Sequence, residues 1–224
     1  SVDRQCGSSQ QAAHFAAQGV IAGAYDCVIA AGVEVMSRVP MGASASVAGV
    51  PFGPKMMDRY QREKLYGSAE IISKKWNLSR EQLDAFSAGS HQKAAIATEK
   101  GWFRNEILPV EITHEDGRSE TMSHDEGIRP DSTAAKLAAL KPAFDEKGVI
   151  TAGNSSQITD GAAAILIMER KRAEQLGLKP RARFHAFALG TCDPVIMLTA
   201  PIPATHAVLK RAGMSLEQID AVEI

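Results

Sequence analysis

Cys6 lies in Val2-Asp3-Arg4-Gln5-Cys6-Gly7-Ser8-Ser9-Gln10-Gln11, where a short extended lead meets a helix-forming stretch. A thiol at the start of a helix faces unpaired backbone N–H groups and the positive end of the macrodipole, which favours thiolate and hence nucleophilic chemistry. Gly7, Ser8 and Ser9 are small enough to let a substrate carbonyl approach. On composition alone, a buried structural cysteine is the commoner outcome for such a residue. A nucleophile of this kind needs a base, and six histidines are available: His14, His91, His114, His124, His185 and His206. His14 is on the same helix but roughly 12 Å along its axis from Cys6, too far for direct proton transfer. Each of the others reads more simply as a surface or packing histidine.

The elements around Cys6 follow an α/β rhythm. Gly7 to Ala24 is rich in Ala, Gln and Ser and predicts a helix able to pack closely. Gly23 ends it, and Cys27 to Ala31 is a continuous apolar run of the kind found in buried parallel strands. After Met36 the proline- and glycine-bearing stretch Ser37 to Tyr66 reads as an excursion from the core. Helices are expected over Ser68–Trp76 and Ser79–Lys100, the second opened by a Ser79/Gln82 capping box and closed by Gly101. Strands are expected at Leu108–Thr113, Val149–Gly153, Ala162–Met168, Ala182–Leu189 and Ile219–Ile224. Short helices are expected at Glu169–Leu176 and Pro203–Ala212.

Composition narrows the function classes. The chain has 224 residues, 45% hydrophobic, with 25 basic and 26 acidic side chains for a net charge of −1. No basic stripe points to nucleic acid, and no apolar run is long enough to span a bilayer. Three cysteines without spacing pattern suggest neither a disulfide framework nor a metal site. These features fit a reducing, cytoplasmic setting. Both ends break into secondary structure abruptly, so the stretch is read as an internal piece of a longer chain.

The motifs sharpen this picture. Arg4-Gln5-Cys6-Gly7-Ser8-Ser9 resembles the nucleophile motif of thiolases, and Ala30-Ala-Gly-Val-Glu-Val-Met-Ser-Arg38 is similar to that family's Ala-Gly-Gly-x-Glu-x-Met-Ser segment, with Val33 replacing the second Gly. Ser79 to Phe86 with Ser90-His91, Gly127-Ile-Arg-Pro130 and Leu140-Lys-Pro-Ala-Phe144 follow. Thr151-Ala-Gly-Asn-Ser-Ser156, Asp160-Gly-Ala-Ala163, Pro201-Ile-Pro-Ala-Thr205 and Asp220-Ala-Val-Glu223 complete the series. They run in family order over essentially the whole chain.

The resemblance implies a layered βαβα thiolase-like fold, partial here. Residues 1–38 with 157–176 would form the second half of the N-terminal domain, 39–156 an inserted CoA-binding loop domain, and 177–224 the start of the C-terminal domain. It implies an acyltransferase in which Cys6 takes the acyl group of a 3-ketoacyl-CoA and a second CoA carries it away; CoA is a substrate, and no cofactor or metal is implied. By motif, Arg129 would sit near the adenine–phosphate end of CoA and Ser156 near the pantetheine amide, with Ala152 and Phe144 lining the same tunnel. Arg suits phosphate, and a Gly-Asn-Ser-Ser turn exposes polar donors. Full-length relatives would form homodimers or homotetramers. The family's Gly-His-Pro base, Cys-x-Gly-x-Gly cysteine and the Asn after Val-Glu would lie beyond Ile224, so this stretch alone is expected to be inactive. Lys64-Leu-Tyr-Gly67 replaces a His-Met-Gly stretch of many biosynthetic members, so the residues lining the acyl pocket differ from the short-chain type, which points to a longer or bulkier ketoacyl substrate. Lys136, where a small Ser is common, would touch phosphate or solvent. A condensing enzyme of the superfamily, a lipid-binding thiolase-like protein and a non-catalytic interaction module are the alternatives.

Overall fold

The computed structural model describes residues 1–47, 49, 52–60 and 67–224, the side chains of 44 and 45 excepted. Pro51 of the excursion and Lys64, Leu65 and Tyr66, the residues that replace His-Met-Gly, lie outside the described residues. Two units divide the chain: 1–59 with 158–224, and 60–157.

In the first unit, α1 (Ser8–Ile21) lies on a two-stranded sheet of β1 (Cys27–Val35) and β4 (Asp160–Met168). Alternation along the strands decides which side chains meet the helix. Val28 pairs with Ile167, Ala30 with Ile165 and Gly32 with Ala163. Ala30 and Ile167 from this series are buried with Ala16 and Ala17 of α1, and Ala13, Val20, Val28 and Phe187 pack around them. The alanines let helix and sheet approach closely, as their small size predicts. The other face carries Ile29, Val33 and Leu166, all exposed. Val33 is on that open face at 74% exposure, so a valine fits where the family motif has glycine.

The β1–β4 pairing is antiparallel. This corrects the parallel reading of Cys27–Ala31: an apolar run signals burial, and carries no information about strand direction. The ladder ends in a side-chain clamp. Ser37 donates its backbone N–H to Asp160 Oδ1 at 2.8 Å and its hydroxyl to Oδ2 at 2.5 Å. The Ser37 hydroxyl, then its backbone N–H, hold the Asp160 carboxyl below the ordinary carboxylate range.

Between β1 and β4 the chain runs through the short helices α2 (Ala43–Val47) and α3 (Pro54–Tyr60) and then the second unit. That unit contains α4 (Ser68–Trp76), α5 (Arg80–Glu99), the hairpin β2 (Val110–Thr113) and β3 (Ser119–Met122), α6 (Ala134–Ala138) and a 3₁₀ turn at Ala152–Asn154. The Ser79/Gln82 capping box is formed in both directions at the start of α5. Residues 149–153 do not form the expected strand; an isolated bridge joins Thr151 to Pro142 and the 3₁₀ turn follows. A contact distant in sequence is the reason: the backbone N–H groups of Val149 and Ile150 go to the Glu70 carboxylate at 3.1 and 2.9 Å instead of to a ladder.

After β4 come α7 (Arg170–Gln175) and α8 (Pro201–Ala212), the latter closed by Gly213 in the left-handed conformation at φ 65°, as a C-terminal glycine predicts. Among the described residues, 182–189 and 219–224 form no strand, because neither finds a ladder partner there. No helix among the described residues is long and apolar enough to cross a membrane.

Candidate active site

Cys6 occupies a tight turn rather than the helix itself. The Gly7 N–H donates to the Arg4 carbonyl at 2.7 Å, closing a four-residue turn with Cys6 at its third position. Cys6 has φ 63°. Turns with a left-handed third residue favour glycine, so a cysteine here holds strain of about 1–3 kcal/mol. The turn is tied to the helix that follows: the Arg4 N–H donates to Ser8 Oγ at 2.9 Å, and its guanidinium donates to Gln11 Oε1 at 2.6 Å. Gln11 is buried, which anchors the clamp. The Cys6 thiol is exposed.

α1 starts two residues later, with Gly7 as its N-cap and no side chain capping it. The N–H groups of its first turn therefore have no intrahelical partner. Gly32 of β1 lies against Ser9, where a Cβ would collide with the Ser9 hydroxyl. The first turn of α1 thus sits directly on the β1 backbone.

The other thiols differ from expectation. Cys27 is exposed at the first position of β1, not buried as its apolar neighbours suggested. End positions of a strand are where alternation no longer guarantees cover. Cys192 is half-buried and its thiol donates to the Met197 carbonyl at 3.3 Å.

Within the first unit, His14 stacks edge-on against Phe187 with ring centroids 5.0 Å apart. Burial first, and the Arg4 charge second, lower the His14 pKa. His185 and His206 are exposed. In the second unit His91 Nδ1 accepts the Arg129 N–H at 3.2 Å, and His114 pairs with Glu120 at 2.9 Å.

The four remaining site candidates all belong to the second unit. Arg129 is exposed, and its Nη1 donates to the Gly127 carbonyl at 3.0 Å. The same carbonyl accepts Gln157 Nε2 at 2.8 Å. Gly127 has no side chain to obstruct this approach; a Cβ there would run into the Gln157 amide. One carbonyl therefore joins the segment bearing Arg129 to the residue next to Ser156. Ala152, the first residue of the 3₁₀ turn, and Ser156, just beyond its end, are exposed, and Phe144 is 60% exposed. Lys136 directs its ammonium to Asp131 Oδ2 at 2.5 Å. That hydrogen bond, then the Lys136 charge, lower the Asp131 pKa, with a smaller contribution from Arg129. Gly127, Gln157 and Asn154 were not singled out by sequence reasoning; Gly127 and Asn154 stood inside quoted motifs, and nothing local marked Gln157.

Residues 1–171 match the N-terminal domain of thiolase and residues 178–224 its C-terminal domain. The chain is 47% identical over 227 residues to a 3-ketoacyl-CoA thiolase of Pectobacterium carotovorum, and 44% identical to one of Vibrio cholerae; each comparison covers 100% of this chain and 57% of the relative. Among solved structures, an acetyl-CoA acetyltransferase from Syntrophomonas wolfei superposes with a TM-score of 0.82 at 32% identity, covering 98% of this chain and 57% of that one. The human mitochondrial 3-ketoacyl-CoA thiolase gives a TM-score of 0.82 at 31% identity, covering 96% and 57%. The architecture is the α/β fold of these enzymes. The chain belongs to the thiolase family, and it spans little more than half the length of the relatives it matches.

Proposed function

We propose that the protein carrying this chain is an acyl-CoA C-acyltransferase of the 3-ketoacyl-CoA thiolase type, with Cys6 as its nucleophile. The observation that carries this reading is the exposed Cys6 thiol in a left-handed turn, clamped by Arg4 to the uncapped start of α1. The Cys6 thiolate attacks the 3-keto carbon of the substrate. The bond between C2 and C3 breaks, its electron pair leaves on C2, and protonation there gives acetyl-CoA. The acyl group remains on Cys6 as a thioester. A CoA thiolate then attacks that carbonyl, and the Cys6 thiolate departs. The acyl-Cys6 consumed and the acyl-CoA formed in the second step are both thioesters, so the exchange is nearly balanced. Run in reverse, the same steps condense two acyl-CoA molecules.

CoA would lie against the loop domain, proposed as 39–156, with Arg129 at its phosphates, Ser156 near its pantetheine, and Ala152 and Phe144 along the chain. The shared Gly127 carbonyl supports this pairing, because it holds the Arg129 and Ser156 segments side by side. Family resemblance assigns the base to a Gly-His-Pro histidine and adds a second cysteine in a Cys-x-Gly-x-Gly motif, and neither motif occurs within residues 1–224. It also suggests a homodimer or homotetramer.

The test is thiolysis of acetoacetyl-CoA and longer 3-ketoacyl-CoA esters by the full-length protein. Cys6→Ala is expected to abolish turnover while CoA binding persists, and Arg129→Ala to raise KM for CoA with little change in kcat. An active Cys6→Ala enzyme would end this reading.

A further inference from the structure

We propose that Arg80, Asp84 and Asn154 are positioning residues for the turn Thr151–Ser156, so that affinity for CoA depends on a buried network behind the turn. This rests on the reading of Ala152 and Ser156 as CoA-facing residues. Asp84 is 1% exposed. Its Oδ2 accepts Arg80 Nε at 2.7 Å, and its Oδ1 accepts Asn154 Nδ2 at 3.0 Å. Both N–H groups of the Asn154 amide are used. Its Nδ2 also donates to the Val149 carbonyl at 3.0 Å, and its Oδ1 accepts the Thr151 N–H at 2.8 Å. Thr151 is fully buried; its hydroxyl accepts the Gly153 N–H at 3.2 Å and its carbonyl accepts the Ser155 hydroxyl at 2.7 Å. Asn154 therefore folds the turn back on itself and fastens it to α5.

A second connection reaches the same turn. Arg80 Nη2 donates to the carbonyls of Leu137 and Leu140 at 2.6 and 3.0 Å. The side chains of these two leucines lie against Gly153, where a Cβ would come within 2.6 Å of each. Arg80 thus fixes the carbonyls of both residues whose side chains press on the turn. Ala152, Ser155 and Ser156 stay exposed on the outer side.

Stability alone gives no reason for this arrangement, since a well-packed apolar pair often does as well as a buried ion pair. What an apolar pair lacks is direction. A carboxylate that accepts one hydrogen bond from Arg80 and another from Asn154 sets the orientation of the Asn154 amide, and that amide sets the backbone of 149–154. Sub-ångström errors at such a turn are read out as lost binding.

The experiment compares KM for CoA, kcat, melting temperature and the iodoacetamide labelling rate of Cys6 in the full-length enzyme. Asn154→Ala is expected to raise KM for CoA about five-fold, the equivalent of one neutral hydrogen bond, with kcat and Cys6 labelling unchanged. Ala97→Gly, buried in α5 away from the turn, serves as the control matched in lost stability and is expected to leave KM unchanged. If Asn154→Ala does not fold, Arg80→Lys is measured in its place; it keeps the charge beside Asp84, loses the two carbonyl bonds, and is expected to raise KM in the same direction. An unchanged KM in the folded variant, or an equal rise in Ala97→Gly, overturns the proposal. Arg129→Ala and Ser156→Ala separate the two levels: if both raise KM while the network variants do not, only the positioning role falls, and if neither does, the CoA reading itself has failed.

Discussion

Gly32 of β1 and Ser9 of α1 are in direct contact, with no space between them for even a single added carbon. This contact sets how closely the helix that follows Cys6 lies on the sheet.

Gly32→Ala should therefore displace the first turn of α1. Forcing a methyl group into a filled contact costs about 1–3 kcal/mol, and the displacement should also slow alkylation of Cys6. Thermal melting and the rate of iodoacetamide labelling check the two effects. Unchanged values for both would show that Ser9 simply rotates away.

The left-handed turn at Cys6 has its own consequence. Glycine adopts φ 63° without the strain that cysteine carries. Cys6→Gly should be more stable than Cys6→Ala by about 1 kcal/mol, although neither has a nucleophile. Chemical denaturation of the two variants measures the difference, and equal midpoints would mean that the turn is unstrained.

His14 makes stability depend on pH. Its pKa is lowered, by burial first and by Arg4 second, so the unfolded chain takes up this proton before the folded one does. The stabilisation is therefore complete above the ordinary histidine value near 6.5, and is lost as pH falls from there through the lower folded value. Urea titrations between pH 8 and pH 5 should show a steeper loss in the wild type than in His14→Gln. Identical slopes would remove His14 as the cause.

Much of this framework can be read from residue order. Helix α5 announces itself through Ser79 and Gln82, α8 ends where Gly213 says it should, and Cys6 is placed ahead of a helix by the small residues behind it. Three features escape such reading, each for a physical reason. Strand direction is a property of pairing, and the run from Cys27 looks the same whichever way β4 lies. The segment 149–153 has strand-like composition, but the N–H groups of Val149 and Ile150 are taken by Glu70, about 80 residues earlier in the chain. The positive φ at Cys6 is unforeseeable, because cysteine has no preference for the left-handed region and the Arg4–Gly7 hydrogen bond that closes the turn is equally compatible with a right-handed third residue. The Arg80–Asp84 pair has an i,i+4 spacing visible in the sequence, yet ordinary surface helices carry such pairs too.

The central claim is that Cys6 carries the acyl group. The most direct measurement is mass spectrometry of peptides from the full-length enzyme, quenched in acid shortly after mixing with acetoacetyl-CoA in the absence of free CoA. The expected result is an acetyl thioester on the peptide containing Cys6, discharged when CoA is added and absent from Cys6→Ala. An acyl group on Cys27 or Cys192 instead, or turnover with no adduct on Cys6 at any time, would contradict it.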